Sequence, residues 1–183
     1  MDRDDALNSV MTNVENQNMV KHMLAAEAVM RALARRLGED EENWGLTGLL
    51  HDIDVELTEG DFPSHGKLGA DIAKELGAPS KITHAILCHN YVHGVPRETL
   101  LDKALYCADP LTGLITASAL VRPDKKLAGL TTPSVMKHFR QARFAAGANR
   151  EQMSLCSEIG LELEEFIGLG LEAMQRIAED LGL

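Results

Sequence analysis

Between Asn18 and Gly38 the apolar residues return every three or four positions, at Met19, Met23, Ala26, Met30, Leu33 and Leu37. That spacing lines one face of an α-helix and no face of a strand. Asn18 is a good N-cap and Gly38 a natural stop, so a helix is predicted from about Asn18 to Leu37. His22 falls on the same stripe and is directed into the core. The period returns at Leu163, Phe166, Ile167, Met174, Ile177 and Leu181, and no segment alternates with a period of two. The expected fold class is all-α.

Further helices are predicted from Glu41 to about Ile53, from Ser64 to Leu76 with Gly77 as cap, and from Pro79 to about Asn90. Another begins near Arg97, with Leu101, Leu105, Ala108, Asp109 and Thr112 along one face. Gly60 and Pro63 make residues 55–63 a loop, and 91–96 read as irregular. Asp109-Pro110 has two readings. A residue before proline disfavours the α region and Asp-Pro starts helices well, yet a kinked helix accommodates both. With 45% hydrophobic residues but only 4% aromatic, the core must be built from Ala, Leu and Met, which favours helices. A single domain over 1–183 is expected, with a core of about 18–120 and a C-terminal helical extension of about 123–183.

A net charge of −10 speaks against a general nucleic-acid binder, since neutralising phosphates needs a basic face. It leaves room for a small phosphorylated substrate, because bound metal ions change the local field. Three widely spaced cysteines without a CxxC pair read as buried thiols of a reducing compartment. No apolar run approaches the ~20 residues that span a bilayer, and the acidic start Met1-Asp2-Arg3-Asp4-Asp5 has the wrong sign for a signal peptide. The chain is expected to be cytoplasmic, with no membrane partner.

Of the 7 histidines, all but His138 fall between positions 22 and 93. His51-Asp52 follows the apolar run Leu46-Thr47-Gly48-Leu49-Leu50, and Asp109 lies on the inward face of its helix. An unpaired carboxylate buried there would cost several kcal/mol, which a cation relieves. Imidazole together with carboxylate suits a divalent transition metal.

The ordered set His22, His51-Asp52 and Asp109 resembles the metal signature of the HD (histidine–aspartate) phosphohydrolase superfamily. Leu49-Leu50-His51-Asp52-Ile53-Asp54 is similar to its HDIG variety, and Tyr106-Cys107-Ala108-Asp109 to the segment supplying its last aspartate. The likeness covers about residues 18–120. It implies an HD-domain helical bundle with additional C-terminal helices. It also implies a metal-dependent phosphohydrolase that cleaves a phosphate ester of a small molecule, a nucleotide above all, with His51 and Asp52 at the catalytic centre. The resemblance further assigns His22, His51, Asp52 and Asp109 to a first metal, with Asp52 bridging to a second completed by His65 and His89. One or two divalent ions are implied, with Mn, Fe, Mg, Ni and Zn left undistinguished.

The chain departs from that pattern at Asp54, where the family has glycine, and at Val55, where a lysine often follows. Lys67 and Lys103 are candidate replacements for contact with a substrate phosphate, and Asp54 and Glu56 are expected to make the rim more negative. His84 precedes His89 by five residues, about 140° around a helix, so the two face different ways. His89 is taken as the ligand and His84 as structural or pocket-lining, while His93 is a candidate substrate contact. Two alternatives stay open: a non-catalytic metal- or nucleotide-binding signalling module, and an HD-type di-iron oxygenase. The C-terminal helices close the core, cover the site or form a homo-oligomer surface.

Overall fold

In the computed structural model, which describes residues 1–183, the chain is ten α-helices and two 3₁₀ segments with no strand, as the helical periodicity requires. Helix α1 (Arg3–Asn13) precedes the first helix that the apolar stripe announces. Only Ala6 and Val10 of α1 are buried, too few to leave a legible period. Helix α2 (Gln17–Leu37) is capped by Asn16, and Gly38 ends it in the left-handed region at φ 73°. Helix α3 (Glu41–Leu50) stops just before His51, and residues 51–60 are turns rather than the predicted continuation to Ile53. Helices α4 (Lys67–Glu75) and α5 (Ser80–His89) follow, then a 3₁₀ turn at Tyr91–His93.

Helix α6 (Leu100–Leu120) opens on a capping box between Thr99 and Asp102 and runs through Pro110 without a break. Proline cannot donate to the Tyr106 carbonyl one turn earlier. That carbonyl instead accepts from the side-chain amide of Gln152 at 2.7 Å, so the helix continues and Asp109 is not a cap. Helices α7 (Thr132–Phe139), α8 (Arg150–Ser154), α9 (Leu163–Arg176) and α10 (Ala178–Leu181) complete the chain, with a 3₁₀ segment at Leu155–Ile159. No helix is long and apolar enough to cross a membrane.

Two apolar clusters form the interior. One gathers Met23, Leu49, Leu50, Ile53, Ile82 and Ile86 around α1, α3 and α5. The other joins Met30, Leu33, Leu105, Leu111, Leu114 and Phe166 around α6 and α9. Burying each such side chain contributes roughly 1.5–3 kcal/mol. Helix α2 serves both clusters, and so does α5 through Ile86 on one side and Ala85 on the other. Both shared helices contribute to a polar centre, His22 from α2 and His89 from α5. Where α3 crosses α2, a Cβ on Gly48 would stand 2.6 Å from the Ala26 carbonyl oxygen, so the approach requires glycine.

Candidate metal centre

Four imidazoles and two carboxylates converge between α2, α3, α5 and α6. Nε2 of His22 lies 3.2 Å from Nε2 of His51. It is also 3.4 Å from Oδ2 of Asp52 and 3.3 Å from Oδ1 of Asp109. His51 completes this group at 3.5 Å from Asp52 Oδ2 and 3.8 Å from Asp109 Oδ1. A second group uses the other oxygen of Asp52: Oδ1 is 3.3 Å from Nε2 of His65 and 3.4 Å from Nε2 of His89. The two imidazole nitrogens of that group are 3.3 Å apart. Donor atoms around one ion, with bonds of 2.0–2.2 Å, stand about 3.0–3.5 Å apart. Apart from the 3.8 Å between His51 and Asp109, the distances in both groups have that spacing, and Asp52 turns one oxygen to each.

Each ring is oriented by what its other nitrogen touches. Nδ1 of His51 donates to the Gly48 carbonyl at 2.8 Å, and Nδ1 of His89 donates to the Ile86 carbonyl at 2.5 Å. His65 donates from Nδ1 to Asp54 at 2.9 Å. Thr112 spends its hydroxyl proton on the Asp109 carbonyl and accepts from Nδ1 of His22 at 2.8 Å. Carbonyls and carboxylates only accept, so all four rings hold a proton on the outer nitrogen and present Nε2 inward. No lysine or arginine is paired with Asp52 or Asp109. Inward lone pairs and two carboxylates in one pocket fit divalent cations.

The charge state agrees. Burial opposes the charge on Asp52, but His51 beside it and hydrogen bonds from His22, His65 and His89 hold it well below the usual carboxylate range. Asp109 is lowered likewise: burial opposes its charge, and hydrogen bonds from His22 and His51 prevail. For His22, burial opposes protonation, yet hydrogen bonds to Asp109 and Asp52 carry its pKa up to about 10. His65 also rises to about 10, against its burial, through Asp52 and Asp54. In the metal-free chain, protons on these rings stand in for the cation charge.

A family model described as the HD domain matches residues 19–114, which takes in every group of this centre. The chain belongs to the HD domain family. Membership places it among metal-dependent hydrolases, as the resemblance implied. Relatives include Ribonuclease Y of Oleidesulfovibrio alaskensis, 34% identical over 98 residues, which are 54% of this chain and 18% of that protein. Ribonuclease Y of Nitratidesulfovibrio vulgaris is 35% identical over 98 residues, with the same shares of 54% and 18%. The match to Ribonuclease Y of Chloroflexus aurantiacus runs further, 27% identical over 168 residues, 90% of this chain and 32% of the relative. This chain therefore spans less than a third of the relatives' length in each case. No solved structure matches.

Those relatives correct one expectation. The family resemblance implies a small phosphorylated substrate and the net charge speaks against general nucleic-acid binding, but the proteins this HD domain resembles are named as ribonucleases. Net charge is a sum over the whole surface, whereas contact with a phosphate is decided locally, by cations bound at the centre.

Asp54 and Glu56, expected at the rim, do not decorate the edge of the HD domain's site. Asp54 is fully buried, and Oδ2 accepts from the backbone N–H groups of Gly66 and Gly69, each at 2.7 Å. Its other oxygen takes the His65 proton, so the residue in the family's glycine position is a support for His65. Glu56 accepts from the backbone of Glu15 and Asn16 at the entry to α2. These roles were not legible, because they depend on turns that bring residues 15, 54, 65 and 69 together. Thr112 was read only as an apolar-face residue, and nothing in its local sequence marks it as the partner of His22.

The other candidates sit apart from the HD centre or at its edge. His93 donates from Nε2 to the carbonyl of His65 at 2.7 Å and so braces the backbone beneath that ligand candidate. Lys67 is exposed at the start of α4, two residues after His65. Lys103 lies 3.4 Å from Glu158. His84 points away from the centre, with Nδ1 3.2 Å from Asp102. Lys21, which the sequence did not single out, lines a cavity of about 360 Å³ beside His22 and Thr112.

Proposed function

We propose that this HD domain is a metal-dependent phosphodiesterase that cleaves the backbone of RNA. One observation carries the reading: Asp52 directs one oxygen to the His22–His51 group and the other to the His65–His89 group. In this proposal His22, His51, Asp52 and Asp109 hold a first divalent ion, and Asp52, His65 and His89 a second. The imidazole and carboxylate donors suit Mn²⁺, Fe²⁺ or Zn²⁺. When bound, such ions supply Lewis acidity toward a phosphoryl oxygen and acidify water near neutral pH.

The chain's own residues do the rest. Asp52 stays ionised and fixes the distance between the two donor groups. The Gly48 and Ile86 carbonyls, Asp54 and Thr112 keep the four rings from rotating. Lys21 in the cavity beside His22, and Lys67 at the edge of the other group, supply cations for neighbouring phosphates of a polymer. The name of the relatives supports RNA as the polymer. The three buried free cysteines support a reducing, cytoplasmic setting.

The test is cleavage of a labelled single-stranded RNA by the Mn²⁺-loaded chain and by Asp52→Ala. Cleavage by the wild type, with loss of both cleavage and bound metal in the variant, is the expected result. Cleavage surviving in Asp52→Ala overturns the centre. Hydrolysis of a generic phosphodiester without cleavage of RNA keeps the centre and overturns the substrate.

A further inference from the structure

The N-terminal end of α6 carries an irregularity that the HD centre does not use. Asp102 is fully buried, and its Oδ2 takes three contacts: the backbone N–H groups of Glu98 and Thr99, at 3.0 and 2.9 Å, and Nδ1 of His84 at 3.2 Å. Its other oxygen, Oδ1, is the one buried side-chain nitrogen or oxygen in the molecule without a partner. Helix capping explains Oδ2 and leaves Oδ1 unexplained, although an unsatisfied buried carboxylate oxygen is costly.

Around this carboxylate stand two further ligand-type groups. His84 and Cys88 are four residues apart on α5 and so share a face. Ligand atoms of His84, Cys88 and Asp102 all lie within 4.8 Å of one another. Sγ of Cys88 is 4.0 Å from Nδ1 of His84. A tetrahedral zinc ion with ordinary bond lengths separates nitrogen from oxygen by about 3.4 Å and nitrogen from sulfur by about 3.6 Å. The observed 3.2 and 4.0 Å bracket those values closely enough that small side-chain rotations complete the set.

We propose that His84, Cys88 and Asp102 form a thiolate-containing cation site of the zinc type, separate from the HD centre. A sulfur, an imidazole and one carboxylate select a borderline-soft ion over Mg²⁺ or Ca²⁺. Binding replaces the Cys88 thiol proton, which is released to solvent, while the neutral His84 ring moves its proton from Nδ1 to Nε2; the ion also neutralises the charge of the buried, incompletely partnered Asp102 carboxylate. The His84 side chain is 34% exposed, which leaves an entry path and an open fourth position for water. The ion would tie α5 to the start of α6. Those helices carry His89 and Asp109, one from each donor group of the HD centre. The site is therefore a clamp on the geometry of that centre.

Cobalt titration of the whole chain tests this, because the HD donor groups contain no sulfur and only a thiolate ligand gives Co²⁺ an intense near-ultraviolet charge-transfer band. The band is expected in the wild type and in Asp52→Ala, its final intensity corresponding to one sulfur-bound ion per chain. It is expected to vanish in Cys88→Ser and to need about tenfold more cobalt or more in His84→Ala. Cobalt uptake by the wild type without the band, or a band that persists in Cys88→Ser, overturns the site. Should Cys88→Ser lose its helical circular dichroism, the partly exposed His84→Ala decides, and unchanged affinity there overturns the proposal.

Discussion

The two donor groups that share Asp52 are built by different means. His22 projects from the second turn of α2 and Asp109 from the middle of α6, and His51 caps α3 where that helix packs on α2. Their positions follow from helix packing over the two apolar clusters. His65 belongs to the turns between α3 and α4, and His89 to the last residue of α5. Here a single buried carboxylate, Asp54, gathers the His65 ring and the amides of Gly66 and Gly69. One half of the centre is held by shape and the other by hydrogen bonds. The halves should therefore fail separately, under different substitutions.

The largest effect is expected where shape does the holding. In Gly48→Ala the new methyl group would meet the Ala26 carbonyl oxygen at 2.6 Å and the Glu27 nitrogen at 2.8 Å, both backbone atoms that do not yield easily. Moving α3 off α2 displaces His51 from His22, and the cost is about 3 kcal/mol of stability. Denaturant unfolding measures it. Gly113→Ala, in the same kind of helical setting but with nothing within 4 Å of its added Cβ, serves as the control. It should be neutral or stabilising by up to about 1 kcal/mol. Equal effects at the two glycines would remove the packing half of the contrast.

Asp54→Asn attacks the other half. The amide puts an N–H₂ group against a proton donor, either Nδ1 of His65 or the two glycine amides, whichever way it turns. Affinity at the His65–His89 group should fall by about 10- to 100-fold while the His22–His51 group keeps its ion. Metal analysis after dialysis reads this as the loss of one ion per chain from the HD centre. Loss of both ions together would mean that the halves are not independent.

A smaller change is expected from Thr112→Val, which keeps the shape on α6 and removes the acceptor for His22 Nδ1. Packing still places the ring, so only its rotation is freed, and affinity of the first group should drop by about tenfold with the second untouched. A titration followed by calorimetry separates the two steps.

The contrast also explains what could be read beforehand. Helix periodicity puts His22 and Asp109 on inward faces, and α2 ends at Leu37 as expected, although its cap is Asn16 and not Asn18. Packing-held groups leave a trace in the sequence because the whole helix must carry the pattern. Turn-held groups leave none: α3 ends earlier than its apolar run suggests, α4 begins later than Ser64, and Asp54 looked like a departure from a motif. Its buried role depends on residues 66 and 69 returning to it, and one-dimensional spacing does not encode that. The Asp109-Pro110 pair was ambiguous for a similar reason, since the Tyr106 carbonyl finds its acceptor role fulfilled by Gln152, 46 residues away.

Proton release is the finest probe of the two halves. In the metal-free chain His22 and His65 each have a pKa raised to about 10, above the ordinary histidine value near 6.5. A raised folded-state pKa contributes stability that is fully present below about pH 6.5 and lost as pH climbs through about 10. The melting temperature of metal-free protein should therefore decline between about pH 6.5 and 10, while metal-loaded protein, whose rings are neutral, should not follow that decline. At about pH 8, binding should release about one proton from each half, seen as a dependence of the binding heat on the ionisation enthalpy of the buffer. Asp54→Asn removes one of the two carboxylates that hold the His65 proton, so its release at the second step should shrink. The first step should keep its full proton, because His22 answers to Asp52 and Asp109 and not to Asp54. Equal shrinkage at both steps would show one coupled charge network where the geometry separates two.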